Sequence, residues 1–552
     1  MKTLLGARWS AMAHLRDVLR EQSWFKLGFV LLFAVGLEAG LWSLFLEGLK
    51  FLDRLGGVGF IVIPKLFALF FFGLSLMLIL SSVLTTYTSL YRSDETAFLM
   101  MNPLPLQDVI LFKYLESAYY ASWAFFFIII PFVGAYAMYA DMPWYFSLWA
   151  LLYSMPFVLI CSGAGFILTV VVVRWMPGRR VLAVTGWAAA LLGVALIWKL
   201  ADGGRDTFNE TTLVLSNLIP GMKVASFPLW PSWWTAEGML SFARAQWLRG
   251  FMLLGVLCSS ALMMGLAAET AGRLLFVEGW QKMIARPHAA RRHPVLLQPL
   301  DKLLSFLPQD IRCLCLKDVR LFLRDPQQWM QVLIFFGLLA IYFVNLRKFH
   351  YHLLPPEWRN LISFLNIFST SAVLCSLGSR FVYPQMSLEG QAFWVIGMAP
   401  TTMRRVLAAK FILALTGMLL ISVGLMALSS GMLDLDPLAR LVTLVIAASM
   451  AFAVSGLSTG LGAIFLDLRQ RNPSAIVSGF GGTMNLVLCL SYMILVILPF
   501  AVTFHLKALG NISHDRMIHL MLWGLAGTLG LTIISVLTPL RLAQKSLLRR
   551  EY

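Results

Sequence analysis

Two short stretches hold the residue types with which this chain could act on another molecule. The first is Ser93-Asp94-Glu95-Thr96-Ala97-Phe98-Leu99-Met100-Met101-Asn102-Pro103-Leu104-Pro105, with Lys113 downstream. The second is Ser387-Leu388-Glu389-Gly390-Gln391-Ala392-Phe393-Trp394-Val395-Ile396-Gly397-Met398-Ala399-Pro400, with Lys410 downstream. Each sets an acidic residue before an Ala-Phe pair and closes at a proline, and the lysine follows at the same distance, 103 to 113 and 400 to 410. Such a set breaks no bonds; it suits docking. Carboxylates pair with basic groups of a partner, a phenyl ring fills an apolar slot, and a short rigid helix ending at proline transmits a push. The candidate contact residues are Asp94, Glu95, Phe98, Asn102 and Pro103 in the first stretch, and Glu389, Gln391, Phe393 and Pro400 in the second. Both stretches are expected as short helices on the cytoplasmic membrane surface, against a partner that is not on this chain.

Bond-making chemistry finds no support in the sequence. No Gly-x-x-x-x-Gly-Lys-Ser/Thr stretch is present, and Ser478-Gly479-Phe480-Gly481-Gly482-Thr483 lacks the lysine that would reach a phosphate. Its small residues suit close helix packing. No His-Glu-x-x-His, paired intramembrane aspartates or nucleophile elbow occurs. The chain is therefore read as having no catalytic residue and as not being an enzyme. Metal binding is not expected either: Cys313-x-Cys315 lacks ligand spacing, and His350, His352, His505, His514 and His519 read as loop histidines. The six cysteines, mostly inside apolar runs, read as buried, inert thiols. Glu38 stands in the outer part of the first apolar run. A carboxylate there faces a translocation path or bonds a neighbouring helix.

The elements that must position these residues are membrane helices. Of 552 residues, 59% are hydrophobic and 13% charged, with a mean hydropathy of +0.78. A soluble domain with so little charge would aggregate. Apolar runs of the ~20 residues that cross a bilayer recur along the chain, and none has the strict alternation of a barrel strand. The net charge of +17 fits Lys and Arg retained beside anionic lipid rather than nucleic acid. The fold class is an all-α polytopic membrane protein. Spans are expected at Trp24–Leu46, Phe60–Leu90, Val109–Tyr139, Trp144–Val173, Val181–Leu200 and Gly250–Ala271. Six more follow at Trp329–Val344, Leu361–Val382, Val406–Ser430, Leu438–Phe465, Ala475–Phe504 and Met517–Leu540. An amphipathic basic segment leads each set: residues 8–23, with Leu15-Arg16-Asp17-Val18, and the stretch with Leu316-Lys317-Asp318-Val319. The plan is a tandem repeat of two six-helix units: 1–271, a basic connector at 272–310, and 311–552. Each unit has an even number of spans, so the two share an orientation, about an axis along the membrane normal. The basic connector and tail place both termini inside. The Trp-rich segment at about 200–249 is then external, as interfacial helices or a re-entrant lid.

This arrangement resembles the ABC type-2 exporter permeases. In that family each six-span unit opens with an interfacial elbow helix. A coupling helix, with an acidic residue, a closing proline and a downstream lysine, lies between spans two and three, and an external helical segment lies between spans five and six. Asp94/Glu95, Asn102-Pro103 and Lys113 match in the first half; Glu389, Ala399-Pro400 and Lys410 match in the second. The family's acidic-Gly-Thr-x-Glu lead-in is absent from the first half and reduced to Glu389-Gly390-Gln391 in the second. The resemblance implies a permease subunit in a bacterial inner membrane, moving an amphipathic or lipid-like substrate. Energy would come from separate ABC ATPase subunits, two copies, which bind the ATP and Mg; no cofactor is implied on this chain. The sparse intramembrane charge weighs against the alternative of an ion-driven carrier with two parallel repeats, while a membrane assembly scaffold is a further alternative.

Overall fold

The computed structural model describes residues 24–54, 59–91, 93–175, 226–284, 301–302, 304–324, 328, 356–432, 437–469, 473–508 and 512–549. The expected elbow at residues 8–23, the spans at Val181–Leu200 and Trp329–Val344, residues 200–225 and residues 285–300 and 303 of the connector lie outside the described residues. The chain divides into two compact units, Met1–Ala290 and Arg291–Tyr552.

The first unit holds α1 (Trp24–Arg54), α2 (Gly59–Thr86), α3 (Asp94–Met101), α4 (Leu106–Tyr139), α5 (Tyr145–Trp175), α6 (Pro231–Ala243) and α7 (Trp247–Ile284). The second holds α8 (Gln309–Arg324), α9 (Pro356–Leu377), α10 (Phe393–Met398), α11 (Met403–Met432), α12 (Pro437–Ile464), α13 (Pro473–Ser478), α14 (Phe480–Ala508) and α15 (His514–Leu548). Among the described residues there is no strand. Ten helical stretches are long and apolar enough to cross a bilayer, and the chain is a multi-pass membrane protein. They fall on the ten expected spans that the described residues cover. The last helix of the first unit runs on past Ala271 to Ile284, into residues expected as connector.

The two units fill their cores differently. In the first, large rings interlock: Phe70 stacks on Phe132 at 4.0 Å, and Phe67, Phe71, Phe125 and Phe157 are fully buried around them. In the second, α12 is the central helix and lets its neighbours approach its backbone. Any Cβ at Gly460 would collide with Pro539 of α15, and any at Gly462 with the Tyr383 carbonyl. The Trp-rich segment is described from residue 226 on. Its helix α6 packs among α2, α5 and α7, with Thr235, Ala236 and Met239 buried and Phe242 stacked on Trp149 at 4.4 Å.

The second expected span ends alike in each unit. After α2 and after α9 the helix widens into one π turn, Tyr87–Tyr91 and Gly378–Val382. A π turn adds a residue to the helical register and turns the chain leaving it. Each leads into one of the two candidate stretches.

Candidate functional site

The first stretch folds as expected, into a single short helix. Asp94 is the first residue of α3, and Pro103 cannot continue it. Asn102 closes it: its backbone N–H bonds to Leu99, and its side-chain amide donates to the Phe98 carbonyl at 2.8 Å. One face of α3 is anchored. Leu99 packs on Val109 and Phe112 of α4, and the Thr96 hydroxyl donates to the Ser89 carbonyl in the π turn at 2.9 Å. The other face presents Phe98 and Met101, 65% and 83% exposed. They stand three positions apart and so share that face.

A buried lysine binds this assembly together. Lys113, on the first turns of α4, is 1% exposed and donates at 2.7 Å to both Glu95 and Glu116. Glu116 also accepts from the Ser89 hydroxyl at 2.9 Å. One ammonium thus joins the π turn, α3 and α4. The Glu95 carboxylate, expected to meet a partner, is paired with Lys113 while its side chain stays 43% exposed.

The second stretch departs from a single helix. Residues Ser387–Ala392 form a 3-10 turn, and α10 starts only at Phe393. Gly390 lies between, with φ 58° and ψ −146°, a conformation that only glycine adopts without strain. Ser387 is held by the backbone N–H of Asp467, which donates to its hydroxyl at 3.1 Å. Here too a lysine is buried. Lys410 of α11, 2% exposed, donates to Glu389 at 2.6 Å and to Asp318 of α8 at 2.9 Å. Lys317 of α8 donates to Glu389 as well. Asp310, at the start of α8, accepts from Arg405 at 3.1 Å and from Thr401 at 3.2 Å. Slight burial raises its pKa, but the Ile311 N–H, Arg405 and Thr401 together hold it below the ordinary value.

The Ala-Phe pairs do not correspond. Phe393 is fully buried among Met386, Val406, Leu407, Leu466 and Leu547, so it cannot fill a slot in a partner as expected. The prolines set the true register. Asn102 N–H to Leu99 O and Ala399 N–H to Ile396 O are both 3.3 Å; Leu104 N–H to Asn102 O and Thr401 N–H to Ala399 O are both 2.7 Å. The next helix begins alike, with Val109 N–H to Pro105 O at 3.3 Å and Val406 N–H to Thr402 O at 3.1 Å. Counted from the prolines, buried Leu99 matches buried Ile396, buried Thr96 matches Phe393, exposed Phe98 matches Val395 (52% exposed), and Met101 matches Met398 (76%). The Pro-to-Lys spacing already carried this register; the bend at Gly390 shifts the Ala-Phe pair out of it. Gln391 and Pro400 are exposed, as is Pro103.

Sequence reading missed Asp318 and Lys317 as partners of this site. Their signal is the repeated Leu-basic-Asp-Val motif, which marks this contact as well as the expected elbow. Glu38 stands apart from both stretches, half-buried on α1 and with no hydrogen bond or ion pair among the described residues. Among the described residues no cluster of His, Cys, Asp or Glu could hold a metal ion.

The geometry is mechanical: a short exposed element, closed by proline and pinned to a span by a buried charge, given twice. No curated protein and no solved structure matches the chain. One family model does, over residues 20–552; its description reads "Putative ATP-binding cassette", and the chain belongs to that family.

Proposed function

We propose that this chain is the membrane-spanning permease subunit of an ATP-binding cassette exporter of the type-2 kind, working in a bacterial inner membrane. Separate ATPase subunits, one for each candidate stretch, bind ATP and Mg and supply the energy. The cargo is amphipathic or lipid-like. Ser93–Pro105 and Ser387–Pro400 act as coupling elements that receive the push when the ATPases close on ATP. The observation that carries this reading is the matched pair of proline-closed elements, alike in backbone hydrogen bonding and each tied by a buried lysine to the span that follows. A rigid link of that kind passes a displacement to the span with little loss to bending. Family membership and the multi-pass fold support the same reading. So does the lack of a phosphate-binding loop in the sequence, which calls for ATP hydrolysis on a partner.

The test is recovery of the tagged chain from detergent-solubilised membranes, with identification of what comes with it. The expected partner contains a Gly-x-x-x-x-Gly-Lys-Ser/Thr loop, in two copies per chain, and hydrolyses ATP in the complex. A chain that transports in vesicles with no such protein bound, driven by an ion gradient and abolished by Glu38→Gln, would be a secondary carrier, and the exporter reading would fail.

A further inference from the structure

At 38 and 35 residues, the last helix of each unit is longer than the ~20 residues that a bilayer crossing needs. The two helices end in different charge. The last turns of α7 hold Glu269, Arg273, Glu278 and Lys282, which cancel, with Arg273 on Glu269 at 3.7 Å and Glu278 on Arg174. The last turns of α15 hold Arg541, Lys545 and Arg549, and the sequence has no acidic residue between Asp515 and Glu551. All three cations are exposed, and none has an ion-pair or side-chain hydrogen-bond partner among the described residues. The helix dipole favours cations in the last turn, which accounts for Lys545 and Arg549 but not for Arg541, two turns in.

The cation row continues an apolar stripe. Trp523, Ile534 and Leu537, all exposed, fall on the same side of α15 as Arg541 and Lys545. Trp523 and Arg541 stand ~27 Å apart along the axis, close to the ~30 Å of a bilayer's hydrocarbon. Tryptophan at one interface and arginine at the other is how a bilayer-facing stripe is bounded. The opposite side of the same turns is packed. Ala543 and Leu547, fully buried, share a cluster with Phe393 and Ile396 of the second stretch and with Val406 and Leu407 beyond it. Glu389, the carboxylate of that stretch, is taken by Lys410 and Lys317. The end of α15 thus has the second stretch behind it and an unbalanced row of cations before it. We propose that Arg541, Lys545 and Arg549 bind the phosphates of anionic phospholipid, with acyl chains along Ile534 and Leu537, and that this lipid holds the end of α15 against the second stretch. A protein covering this side would bury unbalanced cations unless it brought carboxylates at one-turn spacing beside an apolar face of matching length. A bilayer with anionic lipid presents both, and the long stems of Arg and Lys reach its headgroups. In neutral lipid the like charges, one turn apart, are left to repel, and the second stretch loses its backing. The balanced end of α7 gives the first stretch no such dependence.

The experiment uses the purified full-length chain in vesicles of phosphatidylcholine alone, or of equal parts phosphatidylcholine and phosphatidylglycerol. Ile396→Cys places a thiol in the buried cluster, and Leu99→Cys places one at the matching buried position of the first stretch. A water-soluble maleimide, read by peptide mass, should modify the Ile396→Cys thiol several-fold more slowly with phosphatidylglycerol than without it, and the Leu99→Cys thiol equally in both. Arg541→Gln with Lys545→Gln and Arg549→Gln should abolish the difference. The same change should lower the phosphatidylglycerol retained on the detergent-purified chain by about tenfold or more, since three attractions to an anionic headgroup are lost. Arg541→Lys with Arg549→Lys should keep both effects, because the contact reads charge. An Ile396→Cys rate indifferent to lipid overturns the proposal, and so does equal protection of Leu99→Cys, which would be a general membrane effect. Protection by inorganic phosphate in detergent would assign the row to a free anion. A Lys545→Cys thiol shielded in phosphatidylcholine alone would show that protein covers it. Either result overturns the lipid site. No arm uses an ATPase, so the exporter reading and the lipid site stand or fall separately.

Discussion

Cys313 and Cys315 lie on the same helix, α8, two residues apart, and should behave as different reagents. Cys313 is exposed. Cys315 is 2% exposed and turns its sulfur to the Ala409 carbonyl at 3.5 Å. Burial, then the Asp318 carboxylate, push its thiol up to about 11, against the partial relief given by Lys410. Only the thiolate attacks a maleimide. At neutral pH Cys313 should therefore label within minutes and Cys315 not at all, until detergent unfolds the chain and both react. The linkage runs to the alkaline side. The folded-state pKa is raised, so this group's contribution is complete below the unfolded thiol's value of ~8.5 and is lost as pH climbs towards about 11. Equal labelling of the two at pH 7, read by peptide mass, would mean that α8 is not docked on α11. The sequence placed most of the thiols correctly, since Cys161, Cys315, Cys375 and Cys489 are buried; Cys258 and Cys313 are exposed. An apolar run fixes that a helix enters the membrane, but not which residue of each turn meets a neighbour.

At the scale of elements, the two buried lysines make unequal demands. Replacing Lys410 by Met leaves Glu389 and Asp318, 10% and 7% exposed, facing one another with Lys317 alone to balance them. Removing one partner from a buried charge set costs about 3–5 kcal/mol. Replacing Lys113 leaves Glu95, which at 43% exposed can turn to water, and Glu116, which keeps its Ser89 bond. That change should cost less, since it strands one buried carboxylate, Glu116 at 9% exposed, rather than two. Thermal inactivation in detergent, followed by size exclusion, should then show Lys410→Met several degrees below wild type and Lys113→Met between the two. The opposite order would mean that α8 and the second stretch are not bound through Lys410. Much of this level was legible in advance. Apolar runs of sufficient length gave the spans, and proline gave the end of each stretch. The i,i+3 spacing of Lys113 and Glu116 is one at which helix side chains pair, as they do here. The rest depended on distance along the chain: Asp318 meets Lys410 across 92 positions, and no local pattern announces such a pair. Nor did the sequence announce the π turns, which depend on what the end of each span packs against. Gly390 could have warned of a bend, because a glycine within a six-residue apolar–polar stretch is a frequent break point.

For the whole molecule, the question is on which face of the membrane each stretch lies. Each unit has its own core: the ring lattice of the first spans residues 49–261, and the main cluster of the second spans 364–521. Each also has five described helices able to cross the bilayer. Five crossings would bring the two ends of a unit to opposite faces. The sixth crossing rests on Val181–Leu200 in the first unit and Trp329–Val344 in the second, and both are apolar runs of spanning or near-spanning length. If both cross, Ser93–Pro105 and Ser387–Pro400 open on one side, together with the basic stretch Arg291-Arg292 between the units. If only one crosses, the stretches face opposite sides, and no pair of ATPases in one compartment can reach both. A protease site inserted between Ala290 and Arg291 tests the first of these crossings, and one inserted after Pro400 tests the second. The first site should be cut in inside-out vesicles and spared in intact spheroplasts, and both fragments should stay folded and membrane-bound after the cut, because each described core is built from residues of one unit. A site cut only from the outer face would give the first unit an odd number of spans. With Trp329–Val344 crossing, it would also remove the shared face on which twin coupling elements depend, even if an ATPase were bound at one of them.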